Sequence, residues 1–374
     1  MKTRSTIRSR TTRLLAAVVV TCAAVGLAGC APGADSEGDA PQRVFFLVPN
    51  ATTPAWPTYY MPAVQAAFEE YLPNVELITD TADNDSAKQL SQVEAAIAQQ
   101  AAAVIISPPN PAQAGAALAK LAAADIPAIA YLNDPIGGPV NSYVWVDFKT
   151  IGEYWGQWLL DNLSEGDGDP IQLAAIYGDP TFEVYHLWLE GIQPALDQLV
   201  DEGRVEIVCE ADSTGWDPSV AQQAMEQCLT KTGNQVDVTL AMNDSTSDGI
   251  WAALKAQGLN GTVQMIGGHD GSLTAIQRVL VGDQVGTFHP DGVQLGEATA
   301  RLVQAALEGK SADSTGFING SFDNGFVEGG VPTVYGKENL VTADNVQQEI
   351  VDTGIYSKDD ICVGIAADTA FCIA

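Results

Sequence analysis

Short apolar runs alternate with helix-like stretches along most of this chain. The ten runs are four to seven residues long: Val44–Val48, Val75–Thr79, Ala103–Ser107, Ala128–Tyr131, Tyr143–Val146, Ile171–Tyr177, Val205–Cys209, Val236–Ala241, Val263–Ile266 and Val285–Phe288. The helix-like stretches include Ala87–Gln100, Gln113–Ala124, Phe182–Leu199, Val220–Thr230 and Ser247–Gln257. Short continuous apolar runs are typical of strands that are buried on both faces. Their alternation with helices predicts an α/β fold of doubly wound parallel sheets.

The alternation falls into two blocks, which predicts two domains. The blocks span roughly residues 43–147 and 148–289, and each is long enough for its own hydrophobic core. A further helix is predicted over Gly292–Glu308, and it forms a third part together with the segment after it. Residues 341–374 have weak periodicity and are expected to form an appended C-terminal tail.

Residues 1–29 have the pattern of a secretory signal peptide. Five basic residues and no acidic ones accompany the apolar run Leu14–Ala28, which is too short for a comfortable membrane span. The ending Leu27–Cys30, Leu-Ala-Gly-Cys, resembles the bacterial lipoprotein signal, whose cysteine is lipidated and becomes the new N-terminus. Residues 30–42 are small, acidic and proline-bearing, which is typical of a flexible tether. Ordinary secretion with an incidental cysteine is the alternative.

The acidic composition restricts the partners of the chain. Loss of residues 1–29 would remove five of the 17 basic residues and none of the 47 acidic ones, so the formal net charge would change from −30 to −35. Such a surface repels nucleic acid and anionic lipid headgroups. We therefore expect no nucleic-acid partner. We expect attachment to the extracytoplasmic face of the cell membrane through lipid on Cys30.

Four cysteines remain if the signal is removed and Cys30 is lipidated. An even number in an oxidising compartment favours disulfides. One cysteine ends a predicted strand and another lies in the next helix, while the last two could close a small loop in the tail. The candidate disulfide cysteines are therefore Cys209, Cys228, Cys362 and Cys372.

Aromatic, carboxylate and amide side chains follow many of the predicted strands. Ligands of open parallel sheets bind beyond the carboxyl ends of the strands. The candidate ligand-binding residues there are Trp56, Tyr59, Asn133, Asp134, Asp147, His186, Trp216, Asn243, Asp270 and His289. Aromatic faces pack on the C–H faces of sugar rings, and carboxylates and amides pair with hydroxyls. Basic residues are nearly absent from these positions, so a neutral or cationic ligand is expected rather than an anion.

The histidines and cysteines follow no metal-site spacing. His186, His269 and His289 lie far apart in the sequence, and no Cys-x-x-Cys is present. The spacing of the acidic residues singles out no acid–base pair. We therefore predict no metal, no cofactor and no catalytic residue.

Several of these motifs resemble the type I periplasmic substrate-binding proteins, the ribose- and galactose-binding group that serves ATP-binding cassette importers. The resemblance covers about residues 43–320. Its motifs here are Thr53-Pro54-Ala55-Trp56, Trp145-Val146-Asp147, Trp216 before Asp217-Pro218, Ala241-Met242-Asn243-Asp244 and Gly268-His269-Asp270-Gly271. Two positions depart from the pattern, because a family arginine falls on His186 and a hinge glutamine falls near His289 or Pro290.

The resemblance implies two doubly wound lobes joined by a multi-strand hinge. We assign residues 43–147 and 290–318 to lobe 1, and residues 148–289 and 319–340 to lobe 2. Simpler roles remain open for some candidates: Asp134 also suits a turn, Asp147 a helix cap, and Asn243 a helix start.

These observations predict a monomeric extracytoplasmic lipoprotein that binds a small neutral carbohydrate or polyol between its lobes. Permease subunits of an ATP-binding cassette importer are the expected partners, and no reaction is catalysed. A cationic or nucleoside-like ligand on the same fold is one alternative. An exported glycoside hydrolase with two carboxylates is another. A transcription regulator of the same fold would need a basic DNA-binding head, which this chain lacks.

Overall fold

The computed structural model describes residues 41–53, 55–163 and 169–374. The predicted signal peptide, the predicted lipidation site Cys30 and the predicted tether up to residue 40 lie outside these residues, as does Pro54 of the first motif. The described strands are β1 (Gln42–Val48), β2 (Val75–Thr81), β3 (Ala103–Ile106), β4 (Ala128–Tyr131), β5 (Ser142–Val146), β6 (Ile171–Tyr177), β7 (Val205–Asp212), β8 (Val238–Ala241), β9 (Gln264–Gly267), β10 (Thr287–Pro290), β11 (Gly320–Phe322), β12 (Val331–Gly336) and β13 (Glu338–Val341).

Helices separate most of these strands. They are α1 (Met61–Tyr71), α2 (Ser86–Ala98), α3 (Ala114–Ala123), α4 (Phe148–Asn162), α5 (Glu183–Asp201), α6 (Pro218–Thr232), α7 (Asp244–Ala256), α8 (Leu273–Val281), α9 (Gly292–Leu307), α10 (Lys358–Ile361) and α11 (Ala370–Ile373), with a π-helical segment at Trp56–Tyr60. Several begin at acidic or amide caps, such as Asp85 before α2 and Asn243 before α7. Helix α6 combines an Asp217 cap with proline at its first position and ends at Gly233, which has a φ of 64°.

The first lobe contains a seven-stranded sheet in the order β11-β12-β5-β4-β3-β1-β2. Its strands are parallel except for β11, which runs antiparallel to β12. Neighbouring side chains of β1 point to opposite faces: Phe46 packs in the cluster under α1 and α9, and Leu47 packs in the cluster under α2 and α3. Apolar residues on both faces of a strand require helices on both sides of the sheet.

The second lobe contains a four-stranded parallel sheet in the order β7-β6-β8-β9. Helices α4 and α5 cover one face and come unusually close to each other. A Cβ atom on Gly152 would lie 2.2 Å from the carbonyl oxygen of Trp188, and one on Gly191 would lie 2.2 Å from that of Lys149. Only glycine permits this separation, so the two helices form a tight pair over the sheet.

The chain crosses between the lobes at three places. It passes from β5 to α4 near Asp147, from β10 to α9 near Asp291, and from β12 to β13 near Lys337. Strands β10 and β13 form an antiparallel pair in which Pro290 lies opposite Glu338. The predicted fold is therefore confirmed, with two doubly wound lobes joined by a hinge of three segments.

The assignment of residues 319–340 to lobe 2 is wrong for most of this segment. Strand β12 pairs in parallel with β5, Thr333 lying opposite Tyr143, and β11 adds an edge strand beyond it. Only β13 joins the hinge pair with β10. Strand β11 has just three residues and includes a glycine, so its sequence carries little strand signal.

Residues 341–374 are packed against the second lobe rather than appended to it. Val346, Ile350 and Ile361 share a buried cluster with Ile276 of α8, and Ile355 also packs against the first-lobe cluster. Both candidate disulfides are bonded, as Cys209–Cys228 and Cys362–Cys372. Within the described residues, no helix has the length and apolar character that a membrane crossing requires.

Candidate ligand-binding cleft

A cleft of about 530 Å³ lies between the two lobes, a size typical of small-molecule sites. Loops at the carboxyl ends of the strands form both of its walls. The first lobe contributes Pro49, Asn50, Thr53, Trp56, Tyr60, Asn84, Asp85, Ser86, Pro109, Asn110, Gln113, Leu132, Asn133 and Val146. The second contributes Phe148, Asp179, Phe182, Val184, Thr214, Gly215, Trp216, Asn243, His269 and Asp270. The lining contains no lysine or arginine among the described residues.

The first-lobe wall contains a tightly packed group of aromatic rings. Trp56 is only 6% exposed and lies 5.3 Å from Tyr60, 6.2 Å from Tyr131 and 6.5 Å from Phe46, measured between ring centroids. Phe46 and Tyr131 belong to the sheet, so the group is anchored in the hydrophobic core. The position of the Trp56 ring is therefore defined before any ligand binds.

The second-lobe wall presents Trp216 from a short turn. Its backbone φ is 56°, a left-handed conformation that is uncommon for a tryptophan. The ring packs on Gly178, where a Cβ atom would lie 1.9 Å from it, and meets Phe182 edge-on at 5.9 Å. Asp179 accepts a hydrogen bond from the backbone N–H of Gly215 at 2.7 Å and so holds the turn. Strained backbone beside a cleft is typical of a functional position.

A carboxylate at the inner end of the cleft connects the lobes. Asp270 accepts hydrogen bonds from the Tyr60 hydroxyl of the first lobe at 2.9 Å and from the Asn243 amide at 3.3 Å. Its own φ of 102° belongs to a turn with positive φ at Gly267, Gly268 and Gly271. A Cβ atom on Gly268 would lie 2.8 Å from a carboxylate oxygen of Asp244, so this turn requires glycine.

His269, beside Asp270, is 3% exposed and faces two carboxylates. Its Nδ1 lies 3.1 Å from Asp270 and its Nε2 lies 3.2 Å from Glu338 of β13. Burial alone would lower the pKa of His269, but the charge of Glu338 and the hydrogen bonds to both carboxylates outweigh it and raise the pKa to about 10. Burial raises the pKa of Glu338, and its pairing with His269 opposes that rise. The proton therefore resides on the imidazole.

Amides dominate the remaining polar surface of the first-lobe wall. The Asn133 amide donates to the Pro108 carbonyl at 2.7 Å, and the Asn50 amide donates to Asn84 at 2.9 Å. The side-chain oxygen of Asn110 is buried and makes no hydrogen bond within the protein. A buried acceptor without a partner costs free energy, and a ligand hydroxyl or water in the cleft would relieve that cost.

Five of the ten predicted ligand residues line the cleft. They are Trp56, Asn133, Trp216, Asn243 and Asp270. Asn243 also caps α7, accepting from the Thr246 backbone N–H at 3.1 Å, so it combines the two roles that its sequence position suggested.

Tyr59 and His289 do not line the cleft, and their predicted placement is wrong. The Tyr59 hydroxyl donates to the Pro290 carbonyl and accepts from the Gly292 backbone N–H at 2.5 Å. This side chain therefore anchors the hinge segment between β10 and α9. His289 is buried beside it, with Nδ1 2.9 Å from the Pro290 carbonyl oxygen. In the π-helical segment Trp56–Tyr60, the neighbouring Tyr60 faces the cleft instead of Tyr59.

Asp134, Asp147 and His186 also lie outside the cleft. Asp147 is exposed and caps α4 by accepting from the Thr150 backbone N–H at 3.2 Å. His186 is exposed, and its Nε2 lies 3.0 Å from the Pro180 carbonyl oxygen.

Asp134 instead joins the two lobes. It is completely buried and accepts from the Tyr143 hydroxyl at 3.1 Å and from the Glu183 backbone N–H of α5 at 2.6 Å. Phe182 stands at the cap position of α5 and cannot cap the helix, so the carboxylate of the other lobe satisfies an amide that α5 leaves open. Burial raises the pKa of Asp134 to about 7.

Several cleft residues were not among the sequence predictions. His269 stands in the same turn as Asp270, and Asn84 follows β2, so the strand-end rule could have identified both. Glu338, which contacts His269 without lining the cleft, carried no such signal, because it lies at the start of a hinge strand that is remote in sequence from every cleft loop.

Comparison with known proteins places this architecture in a family. The family model described as the periplasmic binding protein domain matches residues 44–311. The chain belongs to this family. It is 26% identical over 286 residues to the D-xylose-binding periplasmic protein of Haemophilus influenzae, covering 76% of this chain and 82% of that one. It is also 26% identical to the multiple sugar-binding periplasmic receptor of Rhizobium radiobacter, covering 75% and 81%. These relatives are binding proteins and not enzymes.

Solved structures share the fold. An ATP-binding cassette transporter solute-binding protein from Clostridium phytofermentans, with bound β-D-glucose, superimposes with a TM-score of 0.75 at 23% identity. The match covers 86% of this chain and all of that one. A Caulobacter protein bound to myo-inositol gives a TM-score of 0.68 at 21% identity, covering 83% and 96%. The type I periplasmic binding fold that the sequence motifs resemble is confirmed.

Proposed function

We propose that this protein binds a small neutral sugar or polyol in the interlobe cleft and delivers it to the permease of an ATP-binding cassette importer. The observation that carries the proposal is the composition of the cleft. Trp56 and Trp216 face it from opposite lobes, amides and carboxylates lie between them, and the described lining contains no lysine or arginine. Two aromatic faces can pack on a sugar ring while its hydroxyls pair with the polar groups.

The relatives support this ligand class. The two relatives described above are named as a D-xylose-binding protein and a multiple sugar-binding receptor. A third relative, from Mycolicibacterium smegmatis, is named as a xylitol-binding protein and is 28% identical over 238 residues. The cleft offers acceptors at Asp270 and Asn110 and donors at Asn133 and Asn243. A polyol, which both donates and accepts, suits this mixture. An anion would meet the carboxylates of Asp85, Asp179 and Asp270, and the one cation of the described lining, His269, is already paired with two carboxylates.

Closure of the lobes would complete the site. Tyr60 reaches Asp270 across the cleft, and Asp134 reaches the start of α5. Phe182, which precedes α5, and Val184 within α5 are buried in the same apolar cluster as residues of the first-lobe sheet. We infer that the ligand favours this closed arrangement because both tryptophans contact the ring only when the lobes meet, and that the closed form is the one that the permease recognises.

A thermal-shift screen tests the ligand class. The panel contains D-xylose, D-glucose, D-galactose, myo-inositol, xylitol and glycerol, with choline and a nucleoside as representatives of the other classes. A ligand at one hundred times its Kd adds about 2.7 kcal/mol to the free energy of unfolding, which raises Tm by several degrees. A shift with choline or the nucleoside, and none with any sugar or polyol, would contradict the proposal.

Recovery of the ligand separates binding from hydrolysis. The best ligand and the methyl glycosides of D-xylose, D-glucose and D-galactose are incubated with the protein, and the solution is followed by NMR. We expect the ligand to be returned unchanged. Steady release of free sugar from a glycoside would favour the glycoside hydrolase alternative.

We further propose that the mature chain begins at a lipidated Cys30 and acts as a monomer at the extracytoplasmic face of the membrane. The Leu-Ala-Gly-Cys ending at Leu27–Cys30 and the tether that follows support this proposal. Intact-mass analysis of the membrane fraction should show a diacylated or triacylated N-terminal cysteine, and Cys30→Ala should abolish it. An unmodified mature chain that starts elsewhere would overturn the anchor while leaving the ligand proposal intact.

A further inference from the structure

We propose that His269 and Glu338 form a positioning pair, in which Glu338 of the hinge keeps His269 cationic and His269 holds the carboxylate of Asp270 ready for ligand hydroxyls. The inference rests on the proposed function, because it concerns how the cleft engages a neutral polyol. It assigns a ligand-positioning role to a hinge residue that does not itself line the cleft.

The geometry around His269 gives each ring nitrogen a carboxyl oxygen as its partner. Each nitrogen lies within 3.2 Å of a carboxylate oxygen, Asp270 on one side and Glu338 on the other. An ionised carboxylate can only accept, so when Asp270 and Glu338 are both ionised each nitrogen carries a hydrogen, and a ring with two N–H groups is an imidazolium. The two carboxylate side chains are 13% and 11% exposed, so water screens these pairs weakly.

The remaining partners of Asp270 explain why its orientation matters. The Tyr60 hydroxyl and the Asn243 amide occupy two of its acceptor positions, and His269 occupies a third. A carboxylate has about four such positions, so about one is left for a ligand. Three protein donors therefore fix the orientation of a carboxylate that lines the cleft.

His269 is also the group that balances the charge at this end of the cleft. Two buried carboxylates would repel each other without a cation between them. The other titratable groups that act on His269 or Asp270 are Tyr60, Asp244, His289 and Tyr356. None of them can replace the cation, because burial lowers the pKa of His289 and raises the pKa of both tyrosines and of Asp244.

The position of Glu338 ties the pair to the hinge. Glu338 begins β13 directly after the third lobe crossing and lies opposite Pro290, which precedes the second. The imidazole ring of His269 thereby connects Asp270, which lines the cleft, to the hinge strand that carries Glu338.

The experiment compares ligand affinity with histidine protonation in Glu338→Gln. This change keeps the shape and a hydrogen-bond acceptor but removes the charge. The sugar or polyol found by the screen is titrated calorimetrically at pH 6 and pH 9. At pH 6 the ratio of the variant's Kd to the parent's Kd should be below about threefold. At pH 9 this ratio should reach about tenfold, because His269 of the variant has by then lost its second ring proton while that of the parent keeps it.

Heteronuclear NMR of the three histidines provides a readout that does not need ligand. In the parent, the His269 ring should stay doubly protonated up to about pH 9, and in Glu338→Gln it should titrate nearer neutral pH. His269→Asn assigns the signal. That variant should also weaken binding at both pH values, which keeps the test valid if Glu338→Gln is unstable. The exposed Glu328, changed to Gln, is the matched control and should leave the affinity ratio flat.

Two results would overturn the inference. One is a neutral His269 in the parent at pH 8, and the other is an affinity ratio for Glu338→Gln that is the same at pH 6 and pH 9. If no sugar or polyol binds the parent, the proposed function fails, while the NMR titration still decides whether Glu338 keeps His269 charged.

Discussion

Trp56 and Trp216 face the same cleft from opposite lobes, yet the lobes hold them differently. Trp56 lies against three aromatic rings, two of which belong to the first-lobe sheet, and is almost fully buried. Trp216 is half-buried on a turn with positive φ and depends on the bare backbone of Gly178 for its position. The first wall is an extension of a hydrophobic core, and the second is a loop that presents one ring. A change in the first wall should therefore affect folding, and a change in the second should affect mainly binding.

Replacement of Trp56 should have the largest effect. Trp56→Ala would leave a cavity among the aromatic rings and lower the free energy of unfolding by roughly 3–5 kcal/mol. Denaturant unfolding of the parent, Trp56→Ala and Trp56→Phe measures it, with the phenylalanine variant expected to lose less. A loss below about 1 kcal/mol would mean that this ring, like Trp216, is held loosely, and the contrast between the walls would disappear.

A fully buried carboxyl lies in each lobe, Asp134 in the first and Asp244 in the second, and these should make stability depend on pH. Burial raises the pKa of both Asp134 and Asp244 to about 7. A carboxyl with a higher pKa in the folded chain binds protons more strongly there, so stability falls as pH rises from about 4 to about 7. Through these two carboxyls alone, lowering the pH from 8 to 6 should raise the free energy of unfolding by about 3 kcal/mol.

The charged His269 acts in the same direction at higher pH. Its pKa is raised to about 10, so its contribution is fully present below about pH 6.5 and is lost as pH rises toward 10. Thermal melts from pH 5 to pH 9 measure both effects, and Asp134→Asn should remove about a third of the dependence between pH 6 and pH 8, because Asp244 and His269 supply the rest. A Tm that rises with pH over this range would contradict the assignment.

Replacement of Trp216 should weaken binding without unfolding the protein. Trp216→Ala removes a stacking face worth roughly 1–3 kcal/mol, which is about tenfold to a hundredfold in Kd. Calorimetric titration with the screened ligand, beside a melting curve, separates the two effects. Phe326, an aromatic residue exposed outside the cleft, provides the control as Phe326→Ala. Equal affinity for Trp216→Ala and the parent would show that the second wall does not contact the ligand.

The contact between Asp134 and α5 should have the smallest effect on binding. Asp134→Ala leaves the α5 backbone N–H of Glu183 without its acceptor and should cost about 1 kcal/mol of closure, or about fivefold in Kd. Asp134→Asn keeps an acceptor and should lose less. Small-angle scattering of the ligand-free variants measures the radius of gyration, which increases when the lobes open. If Asp134→Ala has the same radius of gyration and the same Kd as the parent, this contact does not contribute to closure.

The sequence predicted the sheets better than the lobe boundaries. Continuous apolar runs such as Ile171–Tyr177 are strands as expected, because burial on both faces leaves no other pattern. Strand β11 was assigned to the wrong lobe, because three residues carry no periodicity and its place depends on pairing with β12. The tail was expected to be appended, yet Ile361 and its neighbours are buried against α8, a contact that only the folded chain creates.

For the cleft, position in the sequence identified loops but not side-chain directions. Trp56 and Tyr59 lie three residues apart in one helical segment, and Tyr59 turns toward the hinge. Asp134 follows its strand as a ligand residue would, but the start of α5 takes its carboxylate. The direction of each side chain depends on which part of the folded chain lies opposite it, and a local sequence motif contains no information about that neighbour.

The half-buried position of Trp216 gives the protein a natural optical reporter. Of its seven tryptophans, only Trp56 and Trp216 line the cleft, and Trp56 is already shielded from water. Tryptophan emission moves to shorter wavelength when water leaves the indole ring. A ligand that covers Trp216 should therefore shift the emission of the unlabelled protein to shorter wavelength. The ring that contacts the ligand would then also report its binding.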